Sequence, residues 1–204
     1  PQFGVDPDAF HPPAAPRPSQ PAHVAYVGRL VPEKGVDLLL AALRQVKGDW
    51  RATILGSGPI EHQLREQARD LRLEDRMTFQ AWVPSTEMPE FYRSVDILVV
   101  PSRTRPNWTE QFGRVLIEAM ASSVVVVGSD VGEIPHVVDD AGRLFPEDNA
   151  LALASILNTL VERTDLRQEL GKRGRVRVER RFTQRQIAEA TLKVYREISC
   201  CNSC

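Results

Sequence analysis

The segment TEQFGRVLIEAMA (residues 109–121) places two carboxylates, Glu110 and Glu118, eight residues apart. Glu118 lies in an apolar run that predicts a largely buried helix, and a buried carboxylate needs partners because stranding its charge is costly. If the whole segment were helical, the two acids would be about 12 Å apart along its axis. This span matches a sugar, a diphosphate and a ribose in a row, with the free amides of the helix start facing the phosphates. Each acid would then accept hydrogen bonds from hydroxyl groups of the ligand.

A purely structural interpretation of both acids is also open. Thr109 or Glu110 can cap the N-terminus of the helix, where an acid also suits the helix dipole. Glu118 can lie on a solvated helix face, although it would have to fit there beside Val115 and Ala119.

Two other loops carry residues suited to phosphate binding. VGRLVPEKG (residues 27–35) presents Arg29 and Lys34, a planar fork and a mobile point charge that together suit a diphosphate. Two solvated loop cations are the alternative. LGSGP contains Gly56 and Gly58, which permit close approach of a ligand or form a plain tight turn. This stretch is not a dinucleotide fingerprint, because a third glycine is missing and it does not follow the first strand.

Alternating elements must position these loops. Short apolar runs predict strands at residues 23–30, 50–58, 76–83, 96–102 and 124–130, and a segment of unassigned type follows at 142–146. Helical spacing predicts helices at residues 36–46, 60–73, 87–95, 112–123 and 133–138, and further helix from 150 to 198 with breaks near 171–174 and 182–183. The alternation predicts an α/β fold with a doubly wound, Rossmann-like parallel sheet covered by helices on both faces. Such sheets bind ligands beyond the carboxyl ends of their strands, where these loops lie.

The composition excludes several classes of protein. Lys and Arg number 26 and Asp and Glu 27 among 204 residues, so we expect no general attraction to nucleic acid or to an anionic membrane. No apolar stretch approaches the roughly 18 residues needed to span a bilayer. Because the chain begins with Pro1 rather than Met, we expect a piece or a processed product of a longer protein. Residues 1–22 carry seven of the fifteen prolines and predict an extended interdomain linker before a domain at residues 23–198.

The cysteines all lie in the tail, residues 199–204, at Cys200, Cys201 and Cys204. Their absence from the body excludes a disulfide framework and favours a cytoplasmic location. The tail lacks the further ligands of a zinc site and the aliphatic middle of a prenylation box. We therefore expect a loose tail that carries neither metal nor lipid.

Several of these segments, in order and at fitting spacing, resemble the C-terminal, donor-binding half of retaining glycosyltransferases of the GT-B fold, family 4 type. The family pattern E-x-F-G-x-x-x-x-E-A-M-A is EQFGRVLIEAMA here, and G-R-[LF]-x-x-x-K-G is GRLVPEKG. The pattern L-G-x-G-P is LGSGP, and S-D-x-G-G-x-P-E is SDVGEIPH. The resemblance covers about residues 4–198, nearly the whole chain.

The resemblance implies a role for each matched residue. Arg29 and Lys34 would hold the diphosphate and stabilise the charge on the departing nucleotide, and Glu110 would bind hydroxyl groups of the donor sugar. These three are the implied catalytic residues. Glu118 would accept hydrogen bonds from the ribose. The other implied substrate-binding residues lie near the sugar, the phosphates or the base: Gly28, Gly56, Trp82, Val83, Phe112, Gly113, Arg114 and Val115.

The resemblance also implies the partners of the chain. A nucleoside diphosphate sugar would be the donor substrate, with no cofactor and no bound metal. An N-terminal acceptor-binding domain of the parent protein would complete an enzyme that transfers a hexose to an acceptor hydroxyl, and this chain alone would be inactive. Any membrane contact would come through that other half, and no nucleic acid is expected. The base, the sugar and the acceptor stay open.

Departures from the family pattern leave alternatives open. Ser123 and Val125 stand where Gly and Pro are typical, so we expect the turn from helix to strand to be strained or rebuilt. Glu133 and His136 likewise replace a typical Gly and Glu. Another enzyme on the same architecture, such as a nucleotide-sugar epimerase, is one alternative. A non-catalytic nucleotide-sugar-binding or regulatory module is the other.

Overall fold

The computed structural model describes residues 3–17 and 19–201, with side chains up to residue 196. The strands are β1 Ala22–Val27, β2 Trp50–Leu55, β3 Met77–Gln80, β4 Ile97–Val100, β5 Val125–Ser129 and β6 Arg143–Phe145. The α-helices are α1 Val36–Leu43, α2 Glu61–Asp70, α3 Met88–Arg93, α4 Arg114–Ala121, α5 Ile134–Val138, α6 Ala150–Glu162, α7 Thr164–Arg181 and α8 Gln184–Cys201. The strands form one parallel sheet covered on both faces, which confirms the predicted α/β, Rossmann-like fold.

The strand order, β3-β2-β1-β4-β5-β6, decides which loops meet. The chain moves outward from β1 to β3, then returns to pair β4 with the other edge of β1, and moves outward again to β6. The direction of winding therefore reverses between β1 and β4. Ligands of doubly wound sheets bind at this switch point, because the loops leaving the two central strands diverge there and open a crevice.

The core lies on both faces of the sheet. Successive side chains of a strand point to opposite faces, so Val24 and Tyr26 of β1 join one buried cluster while Ala25 and Val27 join the other. Helices α1, α2 and α6 cover the first cluster, and α3, α4 and α5 cover the second. Strands buried on both faces have continuous apolar sequences, which is why their positions could be predicted.

Helix α7 differs from the prediction, because it runs without a break through Gly171 and Gly174. The interruption falls instead at Arg163, between α6 and α7. The glycines serve close packing: a Cβ at Gly171 would lie 2.4 Å from the carbonyl oxygen of Ser123, and one at Gly174 would lie 3.3 Å from Met120. The predicted break at 182–183 is confirmed by the gap between α7 and α8.

The end of α8 also corrects a prediction. The helix continues to Cys201, so residues 199–201 are helical rather than loose. No proline or glycine follows Thr183 to interrupt it. Residues 202–204, including Cys204, lie outside the described residues.

The proline-rich segment before β1 packs against the domain. Val5 is buried, its N–H donates to the Phe182 carbonyl at 2.8 Å, and its own carbonyl accepts from Gln184 at 3.1 Å. The Arg17 guanidinium donates to the Arg93 carbonyl at 3.0 Å, and it reaches the C-terminal end of α4 as well. The segment is thus attached near the junction of α7 and α8 and, at Arg17, beneath the ends of α3 and α4.

The turn from α4 to β5 is strained but not rebuilt. Ser123 adopts a left-handed conformation with φ of 54°, the geometry that glycine usually supplies at a helix end. The Val124 N–H donates to the Ala119 carbonyl at 2.9 Å, and the Ser123 N–H donates to the Met120 carbonyl at 3.0 Å. These two bonds define a Schellman motif, so serine keeps the family turn at an energetic cost.

We expect Ser123→Gly to stabilise the chain by about 0.5–1 kcal/mol, because glycine relieves the left-handed strain and only part of that gain is lost to unfolded-state entropy. The melting temperature should rise by about 2–4 °C per kcal/mol for a chain of this size. The matched control is Ser122→Gly, since Ser122 has φ of −85° and gains nothing from glycine. A melting temperature of the Ser123→Gly chain at or below that of the wild type would contradict the interpretation of strain.

Candidate functional site

The loop after β1 brings Lys34 to Glu110. A turn of 3-10 helix at Pro32–Lys34 projects the lysine, whose Nζ donates to Glu110 Oε2 at 2.6 Å. The same ammonium lies 4.7 Å from the centroid of the Trp108 ring. Two predicted catalytic residues, 76 positions apart in the chain, therefore form one ion pair across the switch point.

Glu110 lies in an extended loop, not at a helix end. Helix α4 begins at Arg114 after Gly113, so neither Thr109 nor Glu110 caps it, and that structural interpretation is wrong. The left-handed Gly113, with φ of 71°, turns the chain between the acid and the helix. The 12 Å spacing of an unbroken helix consequently does not apply to the two acids.

The Glu110 carboxylate is buried, but only one of its two oxygens accepts hydrogen bonds from the protein. Oε2 accepts from Lys34 and from the Ser102 hydroxyl, the latter at 3.0 Å. Oε1 accepts no hydrogen bond from the residues that the structure describes. Since no buried side-chain oxygen among those residues lacks a partner, Oε1 keeps some exposure to solvent, and Glu110 lines the adjoining cleft. This oxygen can accept a hydrogen bond from a ligand hydroxyl.

The loop after β5 supports the backbone of Glu110. The Glu133 N–H donates to the Glu110 carbonyl at 3.0 Å. Gly132, with φ of 53°, comes so close that a Cβ there would lie 2.1 Å from the same carbonyl oxygen. Glycine is required at this position both for its conformation and for this contact. Loops from three strands thus converge on one acid.

Glu118 lies one turn into α4 and has two partners. Its Oε1 accepts from Arg114 Nε at 2.8 Å and its Oε2 accepts from the buried Tyr92 hydroxyl at 3.2 Å. Burial raises the pKa of the Glu118 carboxyl, and the Arg114 charge and the Tyr92 hydrogen bond counteract only part of that rise. Burial, reinforced by the Glu118 charge, likewise raises the pKa of the Tyr92 phenol. The acid is buried at 7% exposure, so the alternative of a solvated helix face is wrong.

The other predicted residues take up varied positions. Arg29 is exposed, and its carbonyl accepts from the Tyr26 hydroxyl at 2.7 Å. Gly28 and Gly56 lie against each other, since a Cβ on Gly56 would be 1.9 Å from the Gly28 carbonyl oxygen. This close contact explains why position 56 holds a glycine, and no ligand is needed for that explanation.

The aromatic and apolar candidates divide between surface and core. Trp82 is 49% exposed, whereas Val83 and Val115 pack against the second buried cluster. The Phe112 ring is buried, with its centroid 5.9 Å from that of Phe182. Phe112 is therefore available to a ligand through its backbone rather than through its ring.

A cleft of about 650 Å³ opens beside Glu110. It is lined by residues of the loops after β4 and β5, of α5 and of the end of α7: Thr109, Glu110, Gln111, Phe112, Gly132, Glu133, His136, Arg181 and Phe182. Of the predicted site residues, Glu110 and Phe112 line this cleft. Lys34 does not line it, but it forms an ion pair with Glu110, which does. Glu118 and Trp82 lie outside its lining.

Two partners of the acids were not predicted from the sequence. Ser102 follows β4 at its carboxyl end, a position that could have marked it as a candidate. Tyr92 carried no such signal, because an aromatic residue in a short helix is usually a core residue. In the parts of the chain that the structure describes, no three His, Cys, Asp or Glu side chains are grouped to hold a metal ion, and no helix is long and apolar enough to cross a membrane.

Comparison with known proteins gives consistent matches. A family model described as "Glycosyl transferases group 1" matches residues 8–177. The alpha-maltose-1-phosphate synthase of Mycolicibacterium smegmatis is 34% identical over 190 residues, which cover 86% of this chain and 48% of that protein. Sucrose-phosphate synthase from Thermosynechococcus elongatus superposes with a TM-score of 0.85 at 29% identity, over 98% of this chain and 52% of that one. Anabaena Alr3699/HepE, solved in complex with UDP, superposes with a TM-score of 0.79 at 25% identity, over 93% and 56% of the two chains. The chain spans about half the length of these relatives.

We expect Glu118→Gln to gain stability relative to the wild type as the pH rises from 4.5 to 7. A raised folded-state pKa means that the wild type loses stability as the pH rises through that pKa, whereas glutamine cannot ionise. Arg114 is 65% exposed and stays hydrated without its partner, so the lost ion pair costs little. Urea denaturation of both chains at the two pH values measures the difference. Glu90→Gln, at a 77% exposed side chain, is the matched control, and a larger stability deficit of Glu118→Gln at pH 7 than at pH 4.5 would contradict the expectation.

Proposed function

We propose a donor-binding role for this chain, which belongs to the group 1 family of glycosyl transferases and has the fold of their C-terminal GT-B domain. In this role it binds the nucleoside diphosphate sugar that serves as donor. The whole enzyme would transfer a hexose from this donor to an acceptor hydroxyl and retain the anomeric configuration. The chain spans about half the length of its relatives, so the acceptor site would belong to another domain.

The Lys34–Glu110 pair at the switch point carries this proposal. It joins a cation suited to phosphate with a carboxylate that keeps one oxygen open to the cleft. A sugar hydroxyl would donate to Glu110 Oε1. The ammonium has three donors, so Lys34 would keep its bond to Oε2 and also donate to a phosphate oxygen.

The diphosphate would lie among positive groups that stabilise it as it leaves. When the bond between the sugar and the diphosphate breaks, the bonding electrons pass to the phosphate oxygen, and Lys34 and Arg29 would compensate the new charge. The first two N–H groups of α4, those of Arg114 and Val115, have no partner within the helix and would add further donors, whereas the Leu116 N–H donates to the Gly113 carbonyl. With these groups present, we propose that no metal is needed.

The nucleoside would extend toward Glu118. Ribose hydroxyls would donate to its carboxylate in place of, or beside, the exposed Arg114. The base would lie near the backbone of Trp82 and Val83. The UDP complex of Alr3699/HepE, and a further complex of that protein with UDP-glucose, support the class of ligand.

We expect one of UDP, GDP and ADP to bind this chain in a calorimetric titration, and Glu118→Gln to weaken that nucleotide at least tenfold. A tenfold loss corresponds to about 1.4 kcal/mol and reflects the loss of an ionised acceptor for two ribose hydroxyls. Glu90→Gln, on the exposed surface of α3, should leave the affinity unchanged. If none of the three nucleotides binds, a non-catalytic regulatory module becomes the better interpretation. Equal affinity in Glu118→Gln would remove Glu118 from the site.

We also expect the isolated chain to transfer no sugar. With the bound nucleotide's glucose and mannose conjugates as donors and a mixture of alkyl glycosides as acceptors, release of nucleoside diphosphate should stay at the rate seen without protein. The physical reason is that an acceptor held by no second domain gains none of the rate that positioning supplies. Detection of a glycosylated acceptor by mass spectrometry would contradict this expectation.

A further inference from the structure

A basic groove runs along the exposed face of α7, outside the residues to which the donor has been assigned. We call it the α7 groove; its volume is about 430 Å³, and the charged residues that line it are Asp140, Lys172, Arg173, Arg177, Arg180 and Arg181. The cations recur about one helical turn apart along α7, as a pair at 172–173, one at 177 and a pair at 180–181. Side chains with this spacing lie on the same face of a helix.

The groove holds more positive than negative charge. Arg173 pairs with Glu169, and Arg177 pairs with Asp139 at 2.7 Å. Among the described residues, Lys172, Arg180 and Arg181 form no ion pair, and Asp140 is the single carboxylate that lines the groove.

The excess matches one particular kind of ligand. Three unpaired cations and one carboxylate give the groove a net charge of about +2. A phosphate monoester, which carries about −1.5 to −2 at pH 7, would neutralise this charge. Arginine forks also fit phosphate oxygens in pairs, which a lysine alone does not. The chemistry of the α7 groove therefore selects a phosphoryl group.

The α7 groove and the cleft beside Glu110 share one lining residue, Arg181. Arg181 lines both, because it ends α7 where the chain turns toward α8. From Lys172 to Arg181 the helix rises about 14 Å, so a ligand of moderate size reaches from the groove into the cleft. A group bound at Arg180 and Arg181 would thus place the rest of its molecule beside the proposed sugar position.

We propose that the α7 groove binds a phosphoryl group of the acceptor, whose reacting hydroxyl would be held by the other domain, so that the enzyme glycosylates an acceptor that carries a phosphate. This inference rests on the proposed transferase function. Docking of α7 onto an anionic membrane is the competing explanation, and the structure disfavours it. An interfacial helix buries an apolar face in the bilayer, whereas Val176 is the one large apolar residue that α7 exposes within the described chain.

The test is a titration of this chain with glycerol 3-phosphate, followed by phosphorus NMR with the best-binding nucleotide present in excess to fill the donor site. We expect saturable binding that Arg180→Glu weakens at least tenfold. Arg69→Glu is the matched control, since Arg69 is an exposed helical arginine on α2, away from the groove. Arg180→Glu should leave the melting temperature and the affinity for the nucleotide unchanged.

Three results would overturn the proposal: no saturable binding of glycerol 3-phosphate, equal binding by Arg180→Glu, or an equal loss in Arg69→Glu. Sedimentation with phosphatidylglycerol vesicles, and with phosphatidylcholine vesicles as control, addresses the competing explanation. Binding to the anionic vesicles that depends on Arg180, without binding of glycerol 3-phosphate, would assign the face to a membrane and also overturn the proposal. Failure of all three nucleotides to bind would contradict the proposed donor function only. The comparison of Arg180→Glu with the wild type would still decide whether the α7 groove binds a phosphate.

Discussion

An ionised carboxylate that leaves water must find partners, and the architecture of the crevice follows from how Glu110 finds them. Lys34 comes from the loop after β1 and Ser102 from the end of β4, while the Glu133 amide, from the loop after β5, donates to the backbone carbonyl of the same residue. Contacts to one residue therefore bring together three loops that no secondary structure connects. The crevice is held in shape before any ligand enters it.

The same acids are not optimised for stability. Glu110 leaves one oxygen to the cleft, and burial holds the pKa of the Glu118 carboxyl above its usual value. Apolar residues of similar volume would make such a helix more stable, because the desolvation cost of buried charges usually exceeds the free energy gained from their interactions. Proteins accept such costs mainly at functional sites, where a ligand later supplies the missing partners. The fold alone therefore does not explain the two acids, whereas the binding roles proposed for them would.

The position of α4 is controlled from its far end. The strained turn at Ser123, the Arg17 guanidinium and the close approach of Gly171 all meet at the carbonyls of Ser122 and Ser123, directly after this helix. Contacts from the proline-rich segment and from α7 thereby hold the C-terminal end in place. The N-terminal end, which carries free N–H groups, is left facing the crevice. A change distant from the crevice can therefore affect the site through the orientation of α4.

The sequence by itself determined the α/β class, the approximate strands and the charged candidates Arg29, Lys34, Glu110 and Glu118. These are local properties, since burial on both faces leaves continuous apolar runs and a charge inside such a run is visible without a structure. Only the tertiary structure decided that Lys34 meets Glu110, that Tyr92 meets Glu118, and that the glycines of α7 serve packing instead of ending a helix. Those outcomes depend on strand order and on helix contacts between residues far apart in the chain, and no local periodicity encodes which distant loop or helix will lie alongside.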